Sequence, residues 1–177
     1  VKPATKHELS SSSDSSVTAG FPSEPVGRET VKLRPFARSD FEALYEIDQR
    51  CYPPETAYSR REFRWYMRLP GAEAIIAEFQ SAIAGFILTA CFEQSGHIIT
   101  IDVLTEFRRA RVGTALLAAA EASLAQRGAK EIELETAIDN DAAIQFWKRS
   151  GYQTRGILKN YYPGGLSAYA MMKRLDT

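Results

Sequence analysis

Three arginines crowd into the segment Arg108-Arg109-Ala110-Arg111-Val112-Gly113-Thr114. An apolar run, residues 98 to 104, precedes it and reads as a buried strand; a stretch rich in Ala and Leu follows and reads as a helix. A strand feeding a loop that opens a helix leaves backbone N–H groups unpaired at the helix start, where the helix dipole adds to their pull on a phosphate or pyrophosphate. Guanidinium groups beside them raise the positive charge and supply bidentate donors. The segment is therefore expected to hold the diphosphate of a nucleotide-like cofactor; a helix start with surface arginines is the alternative. It is not a Walker A loop, since G-x-x-x-x-G-K-[ST] is absent, nor a dinucleotide fingerprint, since G-x-G-x-x-G is absent too.

Periodicity and punctuation give the elements that must position this loop. Residues 1 to 28, with a run of serines and prolines at 3, 22 and 25, cannot bury enough apolar surface to offset chain entropy and are expected to form a disordered tail. Residues 29 to 177 then form one domain. Residues 30 to 35 alternate, with Val31 and Leu33 on one side, and read as a strand. Asp40 is the expected N-cap of a helix carrying Phe41, Leu44, Tyr45 and Ile47, ended by Cys51-Tyr52-Pro53-Pro54. Ser59 and Glu62 form a capping box for a second helix running to about Leu69, where Pro70-Gly71 stops it. Arg60, Arg64 and Arg68 share a face of that helix, either solvated or forming a basic lip over an acidic substrate or cofactor.

Two strands, residues 73 to 79 and 83 to 92, meet at a short turn around Gln80-Ser81. The helix after the arginine loop ends near Gln126, before Gly128. Residues 130 to 136 alternate strictly, Ile132, Leu134 and Thr136 against Glu131, Glu133 and Glu135. Asp139 or Asn140 caps a helix with Ala143, Phe146 and Trp147, and two strands close the chain, residues 152 to 158 and 168 to 174. The order β-αα-ββ-β-α-β-α-ββ predicts an α/β fold, a mixed sheet with helices on both faces.

Composition narrows the function. The 22 basic and 22 acidic residues cancel, so no global charge points to nucleic acid. No apolar run of ~18 residues suggests a membrane span. Cys51 and Cys91 lie apart without a CxxC partner, and with two histidines in the chain no metal site is expected. Both cysteines read as free thiols of a cytoplasmic protein.

Three motifs in order resemble the GNAT N-acetyltransferase superfamily. The arginine loop is similar to its [QR]-x-x-G-x-[GA] loop, which cradles the pyrophosphate of acetyl-CoA; Arg108 stands first, Gly113 last, and Arg111 replaces the first glycine. Asn140-Asp141-Ala142-Ala143-Ile144-Gln145-Phe146-Trp147-Lys148-Arg149-Ser150-Gly151-Tyr152 resembles the N-x-x-A-x-x-[FL]-Y-x-x-x-G-F helix, with Trp147 where the family has tyrosine. Asn160-Tyr161-Tyr162-Pro163, followed by residues 168 to 172, resembles the C-terminal hairpin of RimI-like enzymes, which acetylate protein N-termini.

The resemblance implies that two central parallel strands splay apart and admit the pantetheine arm, with Ile101, Asp102 and Val103 on one side and residues 133 to 136 on the other. It implies a donor loop of Arg108, Arg109, Ala110, Arg111, Val112, Gly113 and Thr114. Acetyl transfer needs a neutral amine, a base to take its proton, donors for the developing oxyanion, and stabilisation of the leaving thiolate. Glu135 is the implied base, its pKa raised by an apolar slot; alternatively the three glutamates form one solvated face. Asp102, in an apolar strand, needs a partner, either Glu135 across the splay or an arginine. Trp147 can donate a hydrogen bond but not a proton, which leaves Tyr161 or Tyr162 as acid unless both are packing. Asn140 could bond the cofactor arm or only cap its helix. The implied acceptor is a protein or peptide α-amine, attacked directly in a ternary complex, between the 52 to 58 loop and the Tyr161-Tyr162 hairpin. A small free amine is the alternative acceptor, and a non-catalytic acetyl-CoA-binding module the alternative function.

Overall fold

The computed structural model describes residues 30–175, so the expected tail lies outside the described residues. Its strands are β1 (Lys32–Pro35), β2 (Ala72–Phe79), β3 (Ala82–Phe92), β4 (Ser95–Val103), β5 (Glu131–Ala137), β6 (Gln153–Leu158) and β7 (Ala168–Arg174). Its helices are α1 (Phe41–Cys51), α2 (Arg60–Tyr66), α3 (Val112–Gln126) and α4 (Asp141–Arg149). The strands form one seven-stranded sheet in the order β1-β2-β3-β4-β5-β7-β6. Every pairing is antiparallel except β4 with β5. This is the mixed α/β sheet the element order predicts.

Alternation along β3 shows why helices cover both faces. Phe86 and Leu88 join Leu44, Ile47 and Phe63 in a core beneath α1 and α2. Ile87, between them, joins Leu116, Leu124, Ile132, Leu134 and Trp147 beneath α3 and α4. A strand buried on both faces reads as a continuous apolar run, as β3 does. In α3 the buried residues Val112, Leu116, Leu117, Ala120 and Leu124 keep helical spacing, and Gly128, at φ 91°, ends the turn after it. The β2–β3 hairpin turns on Gln80 and Ser81, both at positive φ as a two-residue primed turn requires.

Several local expectations differ. Leu33 is exposed on the short edge strand β1. α2 stops at Tyr66 and residues 67–70 form turns. Asp40 makes no cap bond to α1. Its carboxylate instead accepts from Arg34 at 2.7 and 3.0 Å and from the Ala37 N–H at 2.7 Å. Charge-assisted bonds to a fork of guanidinium donors outcompete a single helix N–H, and they hold Asp40 below the usual carboxylate range.

The sheet parts at its centre. β4 and β5 pair only at Ser95–His97 against Glu131–Glu133. Beyond that point β4 stays with β3 up to Val103, while β5 stays with β7 up to Ala137. The parting begins at a β-bulge: Thr89 faces Ile98 and Leu88 faces Thr100, leaving Ile99 as the extra residue. A bulge bends its strand and increases the local twist, which swings β4 off its parallel neighbour.

Candidate active site

The arginine loop sits where β4 leaves β5. A 3-10 turn (Thr105–Phe107) leads into it, and Arg109 and Arg111 both adopt left-handed backbone, φ 68° and 60°. Arg111 occupies the position where the resembling motif carries glycine, and its left-handed φ supplies the physical reason for glycine there. Its side chain is exposed, so the substitution strains the backbone without filling the loop. The first helical bond of α3 runs from Ala115 N–H to Arg111 C=O. The N–H groups of Val112, Gly113 and Thr114 precede it and have no intrahelical acceptor.

A cleft of about 650 Å³ opens at this helix start. Of the expected donor-site residues, Ile101, Asp102, Val103, Arg108, Arg109, Arg111, Val112, Gly113, Thr114, Asn140 and Trp147 line it, while Ala110 does not. Ala110 packs against the α3 side of the core instead, because the loop alternates outward arginines with an inward methyl. A Cβ on Gly113 would lie 3.8 Å from Phe146 and Val103, an ordinary contact. The fold therefore does not need glycine at 113, and the open space beside three free N–H groups suits a diphosphate.

The gap side of β4 is polar in its backbone. Leu104 N–H bonds Ala84 on β3, and Phe86 faces Asp102. By the alternation of an antiparallel ladder, Ile101 and Val103 turn their N–H and C=O toward the gap. The Val103 carbonyl accepts from Arg108 Nε at 3.2 Å and from Cys51 Sγ at 3.6 Å. An extended amide-bearing arm can pair there as an added strand does. Cys51, expected as a free thiol but not as part of the donor site, is a wall of the cleft, and its thiol is pushed up to about 12 by burial and by nearby Asp102. It stays protonated and is no nucleophile at neutral pH.

Asp102 is buried and accepts the Thr100 hydroxyl at 2.7 Å; the Tyr52 hydroxyl lies 3.2 Å from Thr100. The Thr100 and Tyr52 hydroxyls and the Cys51 thiol are near it, and Tyr52, expected as an acceptor wall, is buried with them. Asn140 caps α4, accepting the Ala143 N–H at 3.1 Å, and also lines the cleft, so both readings of it apply. Trp147 is fully buried, tilted against Phe146 and Tyr152, and its Nε1 meets no acceptor among the described residues. The indole fills the cleft floor, where no side chain of α4 supplies an acid.

On the α1/α2 face, Glu135 Oε2 lies 2.9 Å from His97 Nε2. The Tyr161 phenol lies close enough to the same carboxylate for each to shift the other's pKa. Burial works to raise the Glu135 pKa, but the His97 ring first, with smaller contributions from other groups, Tyr161 among them, holds it below the ordinary value. This corrects the expected upward shift: a partly buried carboxylate with an imidazole partner stays ionised. Glu131, Glu133 and Glu135 share one strand face, along which Glu133 is exposed and Glu131 and Glu135 are half-buried. His97 was not legible in the sequence because its pairing depends on register. His97 faces Glu133 across the last parallel pair, and Glu135 follows two residues on, pointing to the same face.

The tyrosines divide. Tyr161 is half exposed, at Glu135, its pKa raised by burial first and by that carboxylate second. Tyr162 is 8% exposed and packs with Ala137 and Ala168. A phenol raised in this way is a hydrogen-bond donor and a poor acid. Tyr161→Phe should lower kcat by less than the ~10²-fold of a lost general acid. Tyr162→Ala should cost ~3 kcal/mol of stability as a buried aromatic truncation. Steady-state kinetics and thermal unfolding of the two variants check this; a kcat loss above ~10²-fold in Tyr161→Phe would restore the acid role.

Tyr58 and Tyr66 face this cluster, rings 4.9 Å apart. The loop carrying Tyr58 is clasped by buried Asp48, which accepts the Tyr58 N–H at 2.8 Å, and by Gln49 Nε2, which donates to Asp48 and to the Tyr58 carbonyl at 2.9 Å. Asp48→Ala leaves that N–H without its partner and should cost ~1–3 kcal/mol. Thermal unfolding reads the loss, and an unchanged Tm would show the loop held by other contacts.

A sheet that parts at its centre, a cleft at the start of α3 beside the gap, and a carboxylate–imidazole pair on the α1/α2 face form an arrangement suited to an extended anionic ligand. The model of the acetyltransferase (GNAT) family matches residues 41–152, and the chain belongs to that family. An N-alpha-acetyltransferase of Sulfurisphaera tokodaii is 26% identical over 85% of this chain and 96% of the relative. An uncharacterised N-acetyltransferase of Methanocaldococcus jannaschii is 30% identical over 80% of this chain and 90% of the relative. The crystal structure of a ribosomal-protein-alanine N-acetyltransferase from Escherichia coli superposes with a TM-score of 0.76, 24% identity, and 84% and 96% coverage. That likeness shows the fold.

Proposed function

We propose that this acyltransferase moves the acetyl group of acetyl-CoA to the α-amine of a protein or peptide N-terminus, by direct attack. The observation that carries the reading is the Glu135 carboxylate, paired with His97 at 2.9 Å, with Tyr161, Tyr58 and Tyr66 around it, beside the gap that leads to the α3 start. Acetyl-CoA supplies an activated thioester and, on leaving, a thiolate. The Val112, Gly113 and Thr114 N–H groups with Arg108, Arg109 and Arg111 would hold its diphosphate. The gap-side backbone of Ile101 and Val103 would hold its arm. Glu135 receives the amine proton, directly or through water, and His97 stabilises the ionised state that makes this possible. With the Cys51 thiol protonated, direct attack is favoured over an acyl-enzyme.

The N-alpha-acetyltransferase name of the tokodaii relative supports an N-terminal acceptor. No helix among the described residues is long and apolar enough to cross a membrane, and the two free thiols suit a reducing compartment such as the cytoplasm. The test is thiol release from acetyl-CoA with free-N-terminus peptides set against amino acids, polyamines and aminoglycosides. Turnover on peptides supports the proposal. Turnover on small amines alone contradicts the acceptor, and tight binding of acetyl-CoA without turnover on any amine makes the chain a binding module.

A further inference from the structure

The α2 segment has two sides with different chemistry. Inward, Phe63 is fully buried, and Tyr66 lies beside Tyr58, its phenol pKa raised by burial first and then by the charges of Glu62 and Glu135. Outward, Arg61, Arg64, Trp65 and Arg68 are exposed and line a shallow groove of about 550 Å³ floored by Leu69 and Pro70. The two sides touch: the Trp65 and Tyr66 rings meet edge-on, centroids 4.9 Å apart. Arg60, at the head of the helix, is neutralised by Glu42 at 2.6 Å and lies over the Tyr45 ring. Arg61 and Arg68 form no ion pair among the described residues, and Arg64 lies over Phe41 without a salt bridge. An exposed indole set among unneutralised guanidinium groups is a surface for an anionic chain with some apolar character.

We infer that this groove reads the acceptor downstream of its N-terminus, so that the substrates are polypeptides with acidic residues a few positions into the chain. This rests on the proposed α-amine acceptor. A polypeptide whose amine lies at Glu135 leaves the slot past Tyr66 and then Trp65. Extended chain advances ~3.3 Å per residue. The groove, one to two helical turns from Tyr66 at ~5.4 Å per turn, is ~2 to 3 extended residues past that ring, so a chain that passes Tyr66 within its first two residues enters it by about position 4. An acidic peptide suits it better than a nucleic acid. The chain has no net charge, with 22 basic and 22 acidic residues, so no global positive field draws a long polyanion, and the groove has the length of a few peptide residues.

The experiment measures kcat/KM for free-N-terminus peptides sharing their first three residues and carrying acidic, neutral or basic residues at positions 4 to 8. Wild type should favour the acidic over the basic peptide by about 5- to 30-fold, since exposed ion pairs are weak singly and add up in threes. The preference should reside in KM and shrink between low and high salt. The double variant Arg61→Glu/Arg68→Glu should reverse the order. Equal use of all three peptides, a basic preference in wild type, or an acidic preference that survives the double variant would overturn the inference while leaving N-terminal acetylation standing. Retardation of single-stranded RNA by wild type but not by the double variant, without a peptide preference, would overturn it in favour of a nucleic-acid surface. No turnover on any peptide would instead remove the proposed acceptor.

Discussion

Gly113→Asp is expected to weaken acetyl-CoA binding by 100-fold or more while leaving the fold intact. The two halves of this expectation have separate causes. The new Cβ meets Phe146 and Val103 at 3.8 Å, an ordinary contact, and residue 113 has no positive φ, so backbone and Cβ are accommodated without strain. Aspartate in the first turn of a helix interacts favourably with the dipole, by ~0.3–1 kcal/mol, so Tm should hold or rise slightly. The same carboxylate then occupies the anion cradle and repels a diphosphate at the point where three N–H groups and three arginines would hold it. Losing the charge-assisted bonds there, at ~1.5–3 kcal/mol each, accounts for the fold-change. Isothermal titration with acetyl-CoA beside thermal unfolding separates the halves. Unchanged affinity with unchanged Tm would take the diphosphate off this helix start.

Glu135→Gln is the second large effect. Its carboxylate is held below the ordinary pKa, so it is ionised throughout the neutral range and does not itself limit the rate there. The acceptor α-amine, at ~7.7–8.0, is the group that titrates. Below that value the amine arrives protonated and its proton must be taken. The variant should lose ~10²-fold or more in kcat, as for a lost general base. Above about pH 9 the amine is already neutral on those reference values, and the deficit should narrow. Stopped-time assays from pH 6 to 9.5 check it. A deficit that is the same at every pH, or no deficit, would take Glu135 out of proton transfer and leave it a structural partner of His97.

Much of this architecture was legible because its signals are local. Ser59 and Glu62 form the capping box their spacing announced, and Ser59 accepts the Glu62 N–H in the structure. The strict alternation of residues 130 to 136 gave β5 and its buried face of Ile132 and Leu134. The Asn140 cap and the arginine loop were read the same way, and the loop residues converge on one cleft apart from Ala110. What was missed depends on partners far away in the chain. Asp40 has the sequence context of a cap, but Arg34 captures it across the β1 edge. His97 carries no periodic signal, and only the parallel register of β4 with β5 sets it on Glu135. The Glu135 shift went the other way for the same reason: an apolar slot alone raises a carboxylate, and an unforeseen imidazole lowers it. Tyr161 and Tyr162, adjacent in sequence, separate into a half-exposed phenol near Glu135 and a buried packing residue according to which way the hairpin turns them.

The measurement closest to the centre of this account is a crystal structure of the chain with acetyl-CoA. The diphosphate should rest on the N–H groups of Val112, Gly113 and Thr114, the arm should pair with the gap side of Ile101 and Val103, and the thioester should lie between β4 and β5 on the side of Glu135. Acetyl-CoA bound elsewhere on the protein, or β4 and β5 closed together along their length with the ligand outside, would contradict it.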